Sequence, residues 1–142
     1  MYRKVLLAYD GSLEGRVALR EGALLAKAFG AQVALLAVTQ PIHDASGFTY
    51  EDPHQAQAVF NEGVEKAKEF GLTLTGEIVS GDPIKQISDF ARRIQADLVV
   101  VGHRKQSSLE RWWSGPSKAI LSDSLNCSLL IARNQVERAP TS

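Results

Sequence analysis

The sequence predicts an α/β fold: a doubly wound, five-stranded parallel sheet with helices on both faces, in the order βαβαβαβαβ. Three observations carry this. Short apolar runs of strand length recur five times in 142 residues. Four of them are nearly continuous in Val, Ile, Leu and Ala, the pattern of strands covered on both faces. The stretches between them repeat with helical period, and strict alternation of strand and helix gives a parallel sheet with right-handed crossovers. The length suits one domain that buries roughly two-thirds of its unfolded surface. Residues 1–134 are expected to form it, with 135–142 as a polar tail.

Each element has its own signal. Val5 to Tyr9 is the first strand and stops at Asp10-Gly11-Ser12. Leu13 to Phe29 follows as a helix, with Ala18, Gly22, Leu25 and Phe29 on one side, Arg16, Arg20 and Lys27 on another, and Gly30 as its stop. Gln32 to Val38 is the second strand. Ala56, Phe60, Gly63, Ala67 and Phe70 then form an amphipathic stripe, with Glu62, Glu65, Lys66 and Glu69 on the remaining faces. Leu72 to Val79 alternates at first and carries Gly76 in mid-strand, which marks it as an edge. Ile84, Ile87, Ala91 and Ile94 make a third stripe, opened by Asp82 as cap and Pro83 as first helical residue. Asp97 to Gly102 is the fourth strand. A shorter helix is expected from near Gly115-Pro116 to about Ser124, before a last strand from Cys127 to Ala132.

Composition narrows the function. Lys plus Arg equals Asp plus Glu at 16 each, so no global positive field exists to hold nucleic acid or an acidic membrane. With 44% hydrophobic and 23% charged residues the chain reads as an ordinary globular protein, not as disordered or membrane-embedded. Its single cysteine, Cys127, excludes an intramolecular disulfide and a cysteine metal cluster, and reads as a small buried hydrophobe. The apolar start breaks at Asp10, too early for a secretory signal, so the expected location is cytoplasmic. His43, His54 and His103 lack metal-ligand spacing. No G-x-S-x-G elbow is present, and Asp10 to Gly15 lacks the dinucleotide G-x-G-x-x-G.

In doubly wound sheets a ligand binds beyond the carboxyl ends of the strands, where the winding reverses. The segments at those ends are Asp10-Gly11-Ser12, Thr39 to Pro53, Ser80-Gly81-Asp82-Pro83, and His103 through Ser114. Asp10 either accepts hydrogen bonds from a ribose or base, or it or Ser12 caps the following helix. Gly102 ends a buried strand and lets a ligand approach the backbone. Gly115 at a helix start offers amide donors to an anion, while His103, Arg104, Lys105 and Arg111 add positive charge, so the loop reads either as a phosphate site or as a solvated face. For Trp112 and Trp113, core packing of at least one is favoured over stacking on a base or partner. Thr39 to Pro53, with His43, Asp44, Tyr50, Glu51 and Asp52, reads as a lid, a dimer-side flap or a plain connection.

From Lys4-Val5-Leu6-Leu7-Ala8-Tyr9-Asp10-Gly11-Ser12 to Cys127-Ser128-Leu129-Leu130-Ile131-Ala132 the chain resembles the universal stress protein family. The resemblance implies a doubly wound five-stranded parallel sheet, a homodimer meeting through the last strand, and, in one branch, ATP held by a G-x2-G-x9-G-S/T motif. Gly102 and Gly115 match its first and third glycines with that spacing. By this resemblance Ala8, Tyr9 and Asp10 lie beside the adenosine, Val38 offers backbone groups to the base, and Gly102, His103, Arg104 and Lys105 hold ribose and phosphates together with Gly115, Pro116, Ser117 and Lys118. Two positions depart from the motif. Lys105 replaces the second glycine, and Pro116 replaces the Ser or Thr, removing a hydroxyl and an N–H. Each charge-assisted bond so lost costs about 1.5–3 kcal/mol.

The expected function is an adenine-nucleotide-binding regulatory module, non-catalytic and dimeric, with ATP or AMP as ligand and Mg²⁺ accompanying ATP. Two other readings stand beside it. One is a nucleotide-independent dimeric interaction protein, favoured by Lys105, Pro116 and the tryptophan pair. The other is a weak ATP hydrolase in which Asp10 or Asp82, at what would be adjacent strand ends, organises Mg²⁺; the further acids of a phosphoacceptor pocket are missing.

Overall fold

In the computed structural model, which describes residues 2–11, 13–39, 42–43, 45–47, 49–50, 52–102 and 121–133, the five apolar runs pair into one parallel sheet. Its strands are β1 (Lys4–Tyr9), β2 (Gln32–Thr39), β5 (Leu74–Ser80), β6 (Leu98–Gly102) and β7 (Ser128–Ala132). They lie in the order β5-β2-β1-β6-β7. The helices are α1 (Leu13–Phe29), α2 (Pro53–Glu69), α3 (Pro83–Ile94) and the short α4 (Leu121–Ser124). Between β2 and α2, the segment read as lid, flap or connection contains a small antiparallel hairpin, β3 (Ile42–His43) and β4 (Thr49–Tyr50).

Side chains alternate across the sheet and sort into two cores, as the two-residue period of a strand requires. Val5, Leu7 and Tyr9 of β1 join Val33, Leu35, Leu98 and Val100 beneath Ala18, Leu19 and Ala26 of α1. Leu6 and Ala8 join Leu36, Val38, Val99 and Val101 on the other face, covered by Ile84, Ile87, Phe90 and Ala91 of α3 and by Leu121 of α4. A continuous apolar run is what a strand covered on both faces must have. The inner face of α1 is built from small residues, and this sets its distance from the sheet. At Gly22 a Cβ would collide with the Leu7 side chain and come within 3.3 Å of Val100. α1 therefore rides close over β1 and β6.

β5 is an edge, as its alternation predicts, and Gly76 there has a packing reason. A Cβ would sit 2.7 Å from the Phe60 ring and 2.8 Å from the Leu35 carbonyl oxygen. β7 is the opposite edge, the place expected of a last strand that meets a partner; with one neighbour in the sheet its apolar run is not covered throughout, so Ser128 is exposed and Leu129, Leu130 and Ile131 are only half-buried. Leu72 and Cys127 fall just before their strands. Phe29, expected on the buried stripe of α1, is 45% exposed, its ring edge-on to Tyr2 at 5.5 Å. At the other end of the sheet from the crevice, the Asp97 carboxylate accepts from the backbone N–H groups of Arg3 (2.8 Å) and Lys4 (3.1 Å), tying the starts of β1 and β6 together.

Candidate functional site

The chain winds from β1 outward through β2 to β5, then α3 carries it back across the sheet to β6 on the far side of β1. The winding reverses between β1 and β6, and the strands part there. Their pairing ends at Leu7↔Val100. Beyond it, β1 stays paired with β2 to Tyr9↔Ala37, and β6 with β7 to Gly102↔Ala132. Both inner strands thus run on past their common ladder, each held from outside. Ala8-Tyr9 and Val101-Gly102, which no ladder joins, flank the point at which a doubly wound sheet has its ligand crevice.

The residues expected at the site fall into two groups. Ala8, Tyr9 and Asp10 stand at the carboxyl end of β1 and Gly102 at that of β6, the two strands between which the winding reverses; Asp10 is half-buried and Gly102 buried. Val38 stands one strand away on β2, its side chain in the α3 core, and pairs with Val79. His103, Arg104, Lys105, Gly115, Pro116, Ser117 and Lys118 lie outside the described residues, as do Ser12, Arg111, Trp112, Trp113 and the tail from 134 onward. Asp82 does not stand beside Asp10. It follows β5, and β2 lies between β5 and β1, so the two carboxylates do not occupy adjacent strand ends. Among the described residues no cluster of His, Cys, Asp or Glu could hold a metal ion.

The resemblance sets Tyr9 beside a ligand, but the pleat turns its side chain to the α1/α2 side, where it is fully buried. Its hydroxyl donates to Glu62 Oε1 of α2 at 2.6 Å. Arg16 of α1 donates through Nε to the same oxygen, also at 2.6 Å. Burial first, and the Glu62 carboxylate second, push the Tyr9 phenol up to about 12. The Tyr9 and Arg16 hydrogen bonds hold Glu62 below the usual carboxylate range, while Glu62 raises the Arg16 guanidinium further. Helical patterning alone puts Arg16 and Glu62 on solvated faces and does not reveal this cluster. The available signal is Tyr9 itself, since a tyrosine closing a buried strand needs a hydroxyl partner.

The remaining candidates are peripheral. His54 is exposed in the first turn of α2. Cys127 is half-buried, and burial, with Asp97 adding to it, pushes its thiol up. Burial of that kind suits a structural thiol better than a reactive one.

Known proteins share this architecture. A universal stress protein of Methanocaldococcus jannaschii is 26% identical over 94% of this chain and 83% of its own length. A crystal structure of a universal stress protein in complex with cAMP covers 92% of this chain and 97% of that one, at 21% identity and a TM-score of 0.69. The universal stress protein of Archaeoglobus fulgidus in complex with dAMP gives the same TM-score at 19% identity, covering 92% and 98%. At these identities the structures speak for the fold alone. The model of the universal stress protein family matches residues 1–133, so the chain, with its doubly wound sheet, belongs to that family.

Proposed function

We propose that this protein is a non-catalytic adenine-nucleotide-binding module that acts as a dimer in a cytoplasmic stress response. The observation that carries the reading is the parting of β1 and β6 past Leu7↔Val100, with Asp10 on one lip and buried Gly102 on the other. Such a crevice suits a flat base and ribose, with Asp10 accepting from ribose hydroxyls. The two fold relatives that hold cAMP and dAMP support the ligand class. Phosphates would meet His103, Arg104 and Lys105 together with Gly115, Pro116, Ser117 and Lys118. Lys105 and Pro116 weaken the grip on a triphosphate tail, which favours AMP over ATP and leaves Mg²⁺ dispensable. Asp82 stands away from the rim, which argues against the hydrolase reading.

Calorimetry with AMP and ATP tests this. AMP should bind, ATP no more tightly, and Asp10→Ala should weaken AMP about tenfold, the loss expected when a ribose hydroxyl gives up a charged acceptor. No heat and no thermal shift at millimolar nucleotide would overturn it in favour of the nucleotide-independent interaction protein, the reading that Lys105 and Pro116 support.

A further inference from the structure

Helix α2 does not border the crevice opening directly, yet one of its faces seats the turn that forms its Asp10 lip. Three positions at helical spacing do this. Glu62 takes the Tyr9 hydroxyl. Gly63 lets the helix descend onto the Tyr9 ring, so closely that a Cβ would lie 3.2 Å from Tyr9 Cδ2 and 2.7 Å from Leu35 Cδ2. Val59, one turn earlier, meets Gly11: a Cβ there would lie 3.0 Å from Val59 Cγ2, and Gly11 holds φ at +84°, a region that L side chains rarely adopt. Residues three and four apart share a helix face, so Val59, Glu62 and Gly63 form one platform under Tyr9, Asp10 and Gly11. Through Arg16 the same Glu62 oxygen also fixes the N-terminal part of α1.

We infer that Glu62, with Tyr9 and Arg16, is a positioning group for the nucleotide crevice: it holds the Tyr9-Asp10-Gly11 turn and the start of α1 in the arrangement that a ligand meets. Its value to the ligand rests on the function proposed above; the positioning itself does not. A carboxylate oxygen with two donors at 2.6 Å from different elements is a cross-brace. The ion pair is partly exposed, with side-chain accessibilities of 48% and 34% for Arg16 and Glu62, so its contribution to global stability is small. Removing Glu62 also strips the buried Tyr9 hydroxyl of its partner, so the loss should fall first on the rim while the pairing of the sheet stays in place.

Amide hydrogen exchange on the full chain decides this without any ligand. In Glu62→Ala the amides of Val17 to Arg20, the first that the ladder of α1 itself protects, should exchange about tenfold faster, as expected when charge-assisted bonds holding a local opening are lost. Those of β6, β7 and α3 should keep their wild-type rates. Glu62→Gln, which keeps the acceptor oxygen and the shape, should recover part of the protection. Unchanged protection at Val17 to Arg20, or an equal loss across the whole sheet, would overturn the assignment. If Glu62→Ala fails to fold, Tyr9→Phe, which keeps the ring packing, is measured in its place, with the same outcomes for and against. Calorimetry with AMP is the second arm. Where wild-type binds, Glu62→Ala should weaken it severalfold, and equal affinity would overturn the link to the ligand. If wild-type shows no binding, the nucleotide reading falls, and with it that link, while exchange at the rim still judges the brace.

Discussion

Tyr9 shows how one residue answers two demands. It ends a buried strand, so its ring must fill the α1/α2 core, and its hydroxyl must find a partner there. Glu62 is that partner, and the sign of the resulting pH dependence follows. The phenol is pushed from 10.0 up to about 12, so the folded protein keeps a proton that the unfolded chain gives up near pH 10. The contribution is therefore complete below pH 10 and lost as pH rises toward 12, by about 3 kcal/mol at most for a shift of this size. Glu62 behaves oppositely: its carboxyl is held low, so its contribution is present above the ordinary value of 4.5 and fades in acid. Urea unfolding against pH should show an alkaline decline in wild-type that is shallower in Tyr9→Phe. Parallel alkaline limbs for the two proteins would contradict the buried phenol. Tyr9 is legible in the sequence as the close of the first strand. Its partner is not, because Glu62 comes from 53 residues away, and the facing of α2 onto β1 depends on Gly63 admitting it.

Among the elements, α2 and α3 open with the same dipeptide, Asp-Pro, and the sequence offers no reason to treat them differently. The backbone does. Asp52, at φ −104° and ψ 99°, accepts from the N–H groups of His54 (3.0 Å) and Gln55 (3.3 Å). Asp82, at φ −65° and ψ 114°, stands at the cap position but makes no side-chain cap bond. Asp52→Ala should therefore cost about 1 kcal/mol, the usual worth of a cap. Asp82→Ala should cost only about 0.3 kcal/mol, the lower end of the helix-dipole interaction. The shift of the urea midpoint in each variant checks the contrast, and equal shifts would refute it. Helix periodicity places both stripes correctly, since Gly63 and Ala67 of α2 and Ile84, Ile87 and Ala91 of α3 are all buried. A cap depends on a few tens of degrees of local dihedral angle, and composition does not encode that. The hairpin of β3 and β4 is illegible in the sequence for a similar reason: two-residue strands are too short to show a period.

At the scale of the whole molecule, alternation of strand and helix specifies a parallel sheet, and the alternation within β5 marks that strand as an edge. The order β5-β2-β1-β6-β7 cannot be read from periodicity, because a buried strand looks the same beside any neighbour. Once that order is fixed, the two edges prove unlike. β5 exposes Thr75 and Glu77, and Arg93 of α3 pairs with Glu77 at 2.6 Å, so charge and polar groups blunt it. β7 instead presents Leu129, Leu130 and Ile131 half-buried at the outer side of the sheet. An apolar edge strand is a template for pairing with another chain, and of the two edges β7 is the one suited to a second copy. Sedimentation at micromolar concentration should give a dimer. Leu130→Lys should shift it to monomer with the circular dichroism spectrum retained, since the lysine stem can lie over the core while its charge stays at the rim. A wild-type chain that sediments as a monomer at every concentration would remove the dimer, and β7 would then need a different partner to cover its leucines.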